Sequence, residues 1–192
     1  MTQLYENVIT PQIAANLIDT AKSSNDEWQK LLIGVKKDNL NKTFLSSNPI
    51  DWDAGSFLHN AYFKELRAEE PSCEKLHGHL QQYLAPIVKI KPSLAISYSF
   101  YKWGPGGELQ MHNDDNYSFS ATLFLNDNWH MDWGGFLIWL TKDNKEQVVK
   151  PTFGRLVIFE NEERHLVTPI SKVAETERLS IQIRGIKLES FL

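Results

Sequence analysis

A single cysteine, Cys73, stands in a chain of 192 residues. One thiol can neither build an internal disulfide framework nor supply a multi-cysteine zinc site. A reducing cytoplasm is the compartment that fits this composition. Long apolar runs are also lacking: none approaches the roughly 18–20 residues that span a bilayer, so no membrane role is expected. The opening, MTQLYENVITPQ, carries neither a basic stretch nor an apolar core, and no secretory signal is expected there. Positive charge is in deficit, with 20 Lys and Arg against 24 Asp and Glu, a net charge of −4 and a pI near 5.9. That balance removes the usual electrostatic footprint of a duplex-binding protein, and nucleic acid is not an expected partner. Internal repeats, low-complexity tracts and linkers are absent. What remains, 42% hydrophobic and 23% charged residues, is the mix of an ordinary globular domain of this length.

The two halves of the chain have different periods. Thr10-Pro11 is a helix start, with a capping hydroxyl before a proline suited to the first helical position. Ile13, Leu17, Ile18 and Ala21 then recur at helical spacing up to the polar cluster at Ser23–Asp26. A second helix is expected within Ser56–Glu69, on Phe57, Ala61 and Leu66. A third follows Pro71, with Leu76, Leu80, Tyr83 and Leu84 as its stripe, and should stop near Pro86. Residues 34–54 read as loop or short strand. From about Lys91 onward, LAISYSFYKW, SATLFLN, GGFLIWL, RLVIFE and RLSIQIRGI are short β-branched and aromatic runs divided by turn-forming residues. Such a series favours an antiparallel sandwich or barrel. The expected fold class is α+β but mainly β: a jelly roll packed against N-terminal helices. One catalytic domain is expected over 1–192, with residues 1–90 as the helical layer and 91–188 as the jelly-roll core.

Six histidines are present, at 59, 77, 79, 112, 130 and 165. His112-Asn113-Asp114 sets a carboxylate two residues after an imidazole, and at a strand end these two side chains share a face. A jelly roll can return His165 to their side. Two histidines and a carboxylate on one face of a metal leave adjacent positions open, which suits Fe(II) binding a chelating co-substrate and dioxygen together. Arg178 lies in the strand-like run RLSIQIR, and a buried arginine requires an anion. Its planar fork matches a carboxylate. A dicarboxylic 2-oxo acid satisfies both groups, chelating the metal at one end and meeting Arg178 at the other.

Each piece has a plainer reading when taken alone. His112 and Asp114 also suit a loop with an Asx turn near Asn116, and Arg178 suits a surface pair with Glu175 or Glu177. His77 and His79 diverge on a helix and, like His59 and His130, read as surface residues. Gly104-Pro-Gly-Gly is not a phosphate loop, because no Lys-Ser/Thr follows it.

The ordered set resembles one family. Tyr101, a Gly-Gly pair, His112-x-Asp114, Thr122-Leu123-Phe124-Leu125-Asn126, Gly134-Gly135, Pro151-x-x-Gly154-Arg155-Leu156, Phe159, His165-x-Val167-x-Pro169 and Arg178 follow the pattern of the 2-oxoglutarate/Fe(II) dioxygenases. Within them it most resembles the prolyl 4-hydroxylase-like branch, over roughly residues 95–186. The resemblance implies a double-stranded β-helix with iron on His112, Asp114 and His165, and with the distal carboxylate of 2-oxoglutarate on Arg178. It implies a co-substrate contact from Tyr101, with Tyr98 and Ser99 as alternatives, and gives Thr122 part of that role. The implied reaction is hydroxylation of an unactivated C–H bond, with O2 consumed, succinate and CO2 released, and ascorbate sustaining turnover. Asp114 in the third ligand position points to hydroxylation rather than halogenation.

Two departures stand out. Phe124 occupies a position where related enzymes often carry a second co-substrate tyrosine, and Arg184 occupies one where a tryptophan often ends the last strand. By strand parity Arg184 shares a face with Arg178, Ser180 and Gln182. It is the candidate contact for a substrate carboxylate, with Trp133 as a further candidate substrate residue. The implied substrate is a prolyl residue, an amino acid or an amino-acid-like small molecule. Two other readings compete: an alkylated-base demethylase, suggested by the spacing of Arg178 and Arg184, and a non-catalytic jelly-roll module that binds a metal or small ligand.

Overall fold

The computed structural model describes residues 2–23, 29–30, 33–35, 43–45, 61–66, 71–90, 94–114, 117–141, 143–159 and 162–187. Among these residues two helices, α1 (Pro11–Ser23) and α2 (Pro71–Ile90), accompany thirteen strands. In the N-terminal half these are β1 (Gln3–Tyr5), β2 (Gln29–Lys30), β3 (Ile33–Val35), β4 (Thr43–Leu45) and β5 (Ala61–Leu66). In the C-terminal half they are β6 (Leu94–Trp103), β7 (Leu109–His112), β8 (Phe119–Phe124), β9 (Leu137–Leu140), β10 (Glu146–Val149), β11 (Leu156–Phe159), β12 (His165–Val167) and β13 (Arg178–Lys187). A seven-stranded sheet runs β1-β11-β8-β13-β6-β5-β2, and a four-stranded sheet runs β10-β9-β12-β7. Every pairing is antiparallel. This is the jelly roll on a helical layer that the sequence pattern implies.

The large sheet is covered on both faces, and its period-two alternation sorts the side chains between them. Tyr98, Phe100, Phe119, Ala121, Leu123, Ile181 and Ile183 pack with Ile13, Leu17 and Ala21 of α1 and with Leu76, Leu80 and Leu84 of α2. Phe124, Val157 and Phe159 face the other way and meet Leu137, Trp139, Val149 and Val167 of the small sheet. All six residues of β8 are buried for this reason. Burial of a leucine such as Leu17, Leu76 or Leu80 contributes roughly 2 kcal/mol, so the helix-side cluster is a main source of stability.

Local signals account for α1. The Thr10 hydroxyl accepts from the Ile13 amide at 3.4 Å, and the helix closes at Ser23. Two N-terminal expectations need correction. The helix expected within Ser56–Glu69 is not formed over its described part, because residues 61–66 make β5 against β6, from Ala61 opposite Trp103 to Leu66 opposite Tyr98. A long neighbouring strand with an open edge supplies backbone bonds that outcompete a weak helical period. Helix α2 also runs through Pro86 to Ile90 instead of stopping there. The proline removes one backbone donor, while the stripe of Leu76, Leu80 and Leu84 anchors the turns before it. Most of the 34–54 stretch, with His59 and Asn116, lies outside the described residues.

Candidate metal centre and its cavity

His112 closes β7, and His165 opens β12 directly opposite it in the register. Their ring centroids are 4.2 Å apart. Each imidazole is held through Nδ1 by the carbonyl two residues before it: His112 by Gln110 at 2.8 Å, His165 by Glu163 at 3.1 Å. A carbonyl only accepts, so the proton sits on Nδ1 and each Nε2 keeps its lone pair for a metal. The Nε2 of His165 lies 3.6 Å from Oδ2 of Asp114. One ligand atom from each of His112, Asp114 and His165 lies within 4.8 Å of the others. No other such group of three occurs among the described residues.

The electrostatics suit a cation. Burial, then the neighbouring His165, draws the His112 imidazole down to about 4, so it is neutral at physiological pH. Burial pushes the Asp114 carboxyl up, but His165, His112, the Ser120 hydroxyl and the Arg184 charge together hold the group below its ordinary range. A neutral imidazole and an ionised carboxylate are the forms that bind metal.

The cluster lines a cavity of about 460 Å³ including its open mouth. Arg178 lines the same cavity and is 0% exposed. Its Nε donates to the Gly135 carbonyl at 2.9 Å and its Nη1 to the Ser180 hydroxyl at 3.5 Å. Its guanidinium carbon lies 5.0 Å from the Phe124 ring centroid and 5.5 Å from that of Trp103. Glu175 and Glu177 are exposed, and no described carboxylate pairs with Arg178, so the surface-pair reading does not hold. Burial pulls this guanidinium down to about 9.

The Gly134-Gly135 pair makes this arrangement possible. Both glycines have positive φ, at 65° and 66°. A Cβ at Gly134 would stand 2.2 Å from the Pro169 carbonyl oxygen. The close approach therefore serves the fold, and the Gly135 carbonyl it exposes also aims Arg178.

The other expected site residues divide. Tyr101, Thr122 and Arg184 line the cavity. Nη2 of Arg184 donates to the Tyr101 hydroxyl at 2.8 Å, and its guanidinium stands 5.0 Å from the Tyr117 ring centroid. The Thr122 hydroxyl donates to Oε1 of Gln182 at 3.1 Å. Tyr98 points to the opposite face, where its hydroxyl meets Nδ1 of His77 at 2.7 Å, and Ser99 is buried without lining the cavity. Among the three alternatives Tyr101 is thus the cavity residue. Trp133 packs on Trp129 and His130, at centroid distances of 5.1 and 4.7 Å, and lies against the cluster of Tyr101 and Trp103 outside the cavity lining. His79 and His130 are exposed, as expected.

Trp103, Leu109, Leu137, Val167 and Gln182 complete the wall. Strand parity signals two of them, since Trp103 follows Tyr101 by two positions and Gln182 follows Arg178 by four. Nothing local in the sequence marks Leu109, Leu137 or Val167.

Two histidines and a carboxylate gathered in a jelly-roll cavity, with a buried arginine on the last strand, are the donor arrangement that suits a non-haem Fe(II) ion with open positions. Residues 96–183, a little under half of the chain, match the sequence model of the 2OG-Fe(II) oxygenase superfamily. No curated protein matches the chain in sequence. Among solved structures, a Pseudomonas putida prolyl-4-hydroxylase shares the fold with a TM-score of 0.71 at 20% identity, over 97% of this chain and 92% of that one. A Trichoplax adhaerens prolyl hydroxylase, in complex with a hypoxia inducible factor peptide fragment, gives 0.67 at 14% identity, over 98% and 84%. HygX from Streptomyces hygroscopicus, with nickel and 2-oxoglutarate bound, gives 0.64 at 10% identity, over 97% and 83%. The fold is that of the prolyl 4-hydroxylase-like branch. The superfamily implies Fe(II) and 2-oxoglutarate. The donor set fits the first, and a buried guanidinium without a carboxylate fits the second.

Proposed function

We propose that the protein is a 2-oxoglutarate- and Fe(II)-dependent hydroxylase acting on an unactivated C–H bond of a prolyl residue, an amino acid or an amino-acid-like small molecule. One observation carries the reading: the His112, Asp114 and His165 cluster shares a cavity with an Arg178 that no described carboxylate neutralises. His112, Asp114 and His165 would hold the iron, and Arg178 would take the distal carboxylate of 2-oxoglutarate. Iron and 2-oxoglutarate supply the oxidising chemistry, with succinate and CO2 as co-products. The chain's own tasks are to fix both imidazoles through Nδ1, to keep Asp114 ionised and to orient the co-substrate. Leu109, Leu137 and Val167 shield the reacting centre from bulk water. Ascorbate belongs to this reading as a reductant sustaining turnover, and the cytoplasm as its compartment. No helix among the described residues is long and apolar enough to cross a membrane.

Arg184 is the substrate contact in this reading. It lines the cavity, where it donates to the Tyr101 hydroxyl and stands over the Tyr117 ring, and no described carboxylate forms an ion pair with it. A carboxylate on the substrate matches it, which favours an amino acid or an acidic peptide end. The Trichoplax enzyme's peptide complex makes a peptide substrate equally open to assay. The test is succinate release from 2-oxoglutarate with Fe(II) and O2, alone and with proline-containing candidates. Release that requires His112, Asp114 and His165 supports the reading, and none from a folded, iron-loaded protein contradicts it. With a substrate in hand, Arg184→Ala should raise KM about tenfold and leave 2-oxoglutarate affinity unchanged. An unchanged KM removes the Arg184 assignment.

A further inference from the structure

Two buried donors in the cavity wall have no acceptor among the described residues: Nη2 of Arg178 and Nε1 of Trp103. Both residues line the cavity, and both are about 1% exposed or less. They stand directly opposite each other on β13 and β6, with the guanidinium carbon 5.5 Å from the indole centroid. Buried polar hydrogens are rarely left unsatisfied, and two in one place point to a missing acceptor with more than one lone pair. A carboxylate offers about four lone-pair sites on two oxygens. Beside the guanidinium, the Thr122 hydroxyl already donates to Gln182, and Phe124, whose ring centroid lies 5.0 Å away, has nothing to donate.

We propose that Trp103 is a co-substrate-binding residue whose indole N–H, together with Arg178, holds the distal carboxylate of 2-oxoglutarate. The inference rests on the reading above and adds to it the second donor. It makes Trp103 a determinant of the co-substrate's terminal group. A 2-oxo acid ending in a methyl group leaves both donors unsatisfied, whereas one ending in a carboxylate satisfies both.

The test is calorimetric titration of the Mn(II)-loaded protein with 2-oxoglutarate and with 2-oxobutyrate, which lacks the distal carboxylate. Trp103→Phe keeps an aromatic ring and deletes the donor. It should weaken 2-oxoglutarate binding about 10- to 100-fold, the loss of one hydrogen bond to a charged group, and leave 2-oxobutyrate within about twofold by the same argument. Adding Phe124→Tyr, which places a hydroxyl on the opposite side of the guanidinium, should recover most of the loss. Equal 2-oxoglutarate affinity in wild type and Trp103→Phe overturns the proposal while the Arg178 assignment stands. A wild type that does not prefer 2-oxoglutarate to 2-oxobutyrate overturns both. Should Trp103→Phe not fold, the indole N–H resonance of the unaltered Zn(II)-loaded protein decides. A downfield shift of Trp103 with 2-oxoglutarate but not 2-oxobutyrate supports the proposal, and no shift with either contradicts it.

Discussion

Arg178 concentrates the energetics of the site in one residue. Its charge is fully buried, no described carboxylate offsets it, and its hydrogen bonds are to one backbone carbonyl and one distant hydroxyl. Removing such a charge in favour of an apolar side chain of similar length relieves desolvation. Arg178→Met should therefore unfold at the same temperature as the ligand-free wild type or higher, although it abolishes co-substrate binding. The wild type should gain about 2.7 kcal/mol of stability at 2-oxoglutarate concentrations a hundredfold above Kd, and the variant nothing. Thermal melts with and without 2-oxoglutarate check both. A large loss of stability in ligand-free Arg178→Met would show that the arginine serves the fold instead. Asp114→Ala leaves His112 and His165 without their shared carboxylate and should lower divalent-metal affinity by at least tenfold, measured by competition with a chromophoric chelator.

The elements differ in how openly the sequence announces them. Strands β6, β8, β9, β11 and β13 are legible because each is an apolar run bounded by turn residues. Parity along β13 then places Arg178, Gln182 and Arg184 on the cavity side. Strands β7, β10 and β12 span only three or four residues and carry polar positions such as Gln110, Glu146 and Gln147, so no run marks them. Yet β7 and β12 bring His112 opposite His165. The metal residues could be named from their pattern, but the two strands that join them could not. The reverse error falls on residues 61–66, whose weak helical period loses to pairing with β6. The Gly134-Gly135 turn belongs to this scale. Gly134→Ala forces a Cβ against the Pro169 oxygen at positive φ. It should cost roughly 2 kcal/mol or more, seen as a lower denaturant midpoint. An unshifted midpoint would mean the turn relaxes freely.

At the scale of the whole molecule, stability and chemistry occupy opposite faces of one sheet. The helix-facing cluster is apolar and close-packed, while the opposite face carries Arg178, Ser180, Gln182 and Arg184 among its strand positions. Truncation on the helix side should thus lower stability without altering the site. Leu80→Ala should cost about 2–5 kcal/mol while the affinities for metal and 2-oxoglutarate stay within about twofold of wild type, since the sites are distant and share no partner. Loss of metal binding in a folded Leu80→Ala protein would show that the layers are coupled. The sequence pattern carries this two-faced plan in the alternation of β13, but not the depth of Arg178, which depends on Phe124 and Trp103 closing over it from neighbouring strands.

The most direct test of the central claim is an anaerobic titration of the metal-free protein with Fe(II) and then 2-oxoglutarate, followed in the visible spectrum. If His112, Asp114 and His165 hold the iron and Arg178 holds the far end of the keto acid, the wild type develops the charge-transfer band of a chelated iron–keto-acid complex. That band weakens in both Asp114→Ala and Arg178→Ala. Absence of the band in a folded, iron-loaded wild type, or a band of full strength in both variants, would contradict the account.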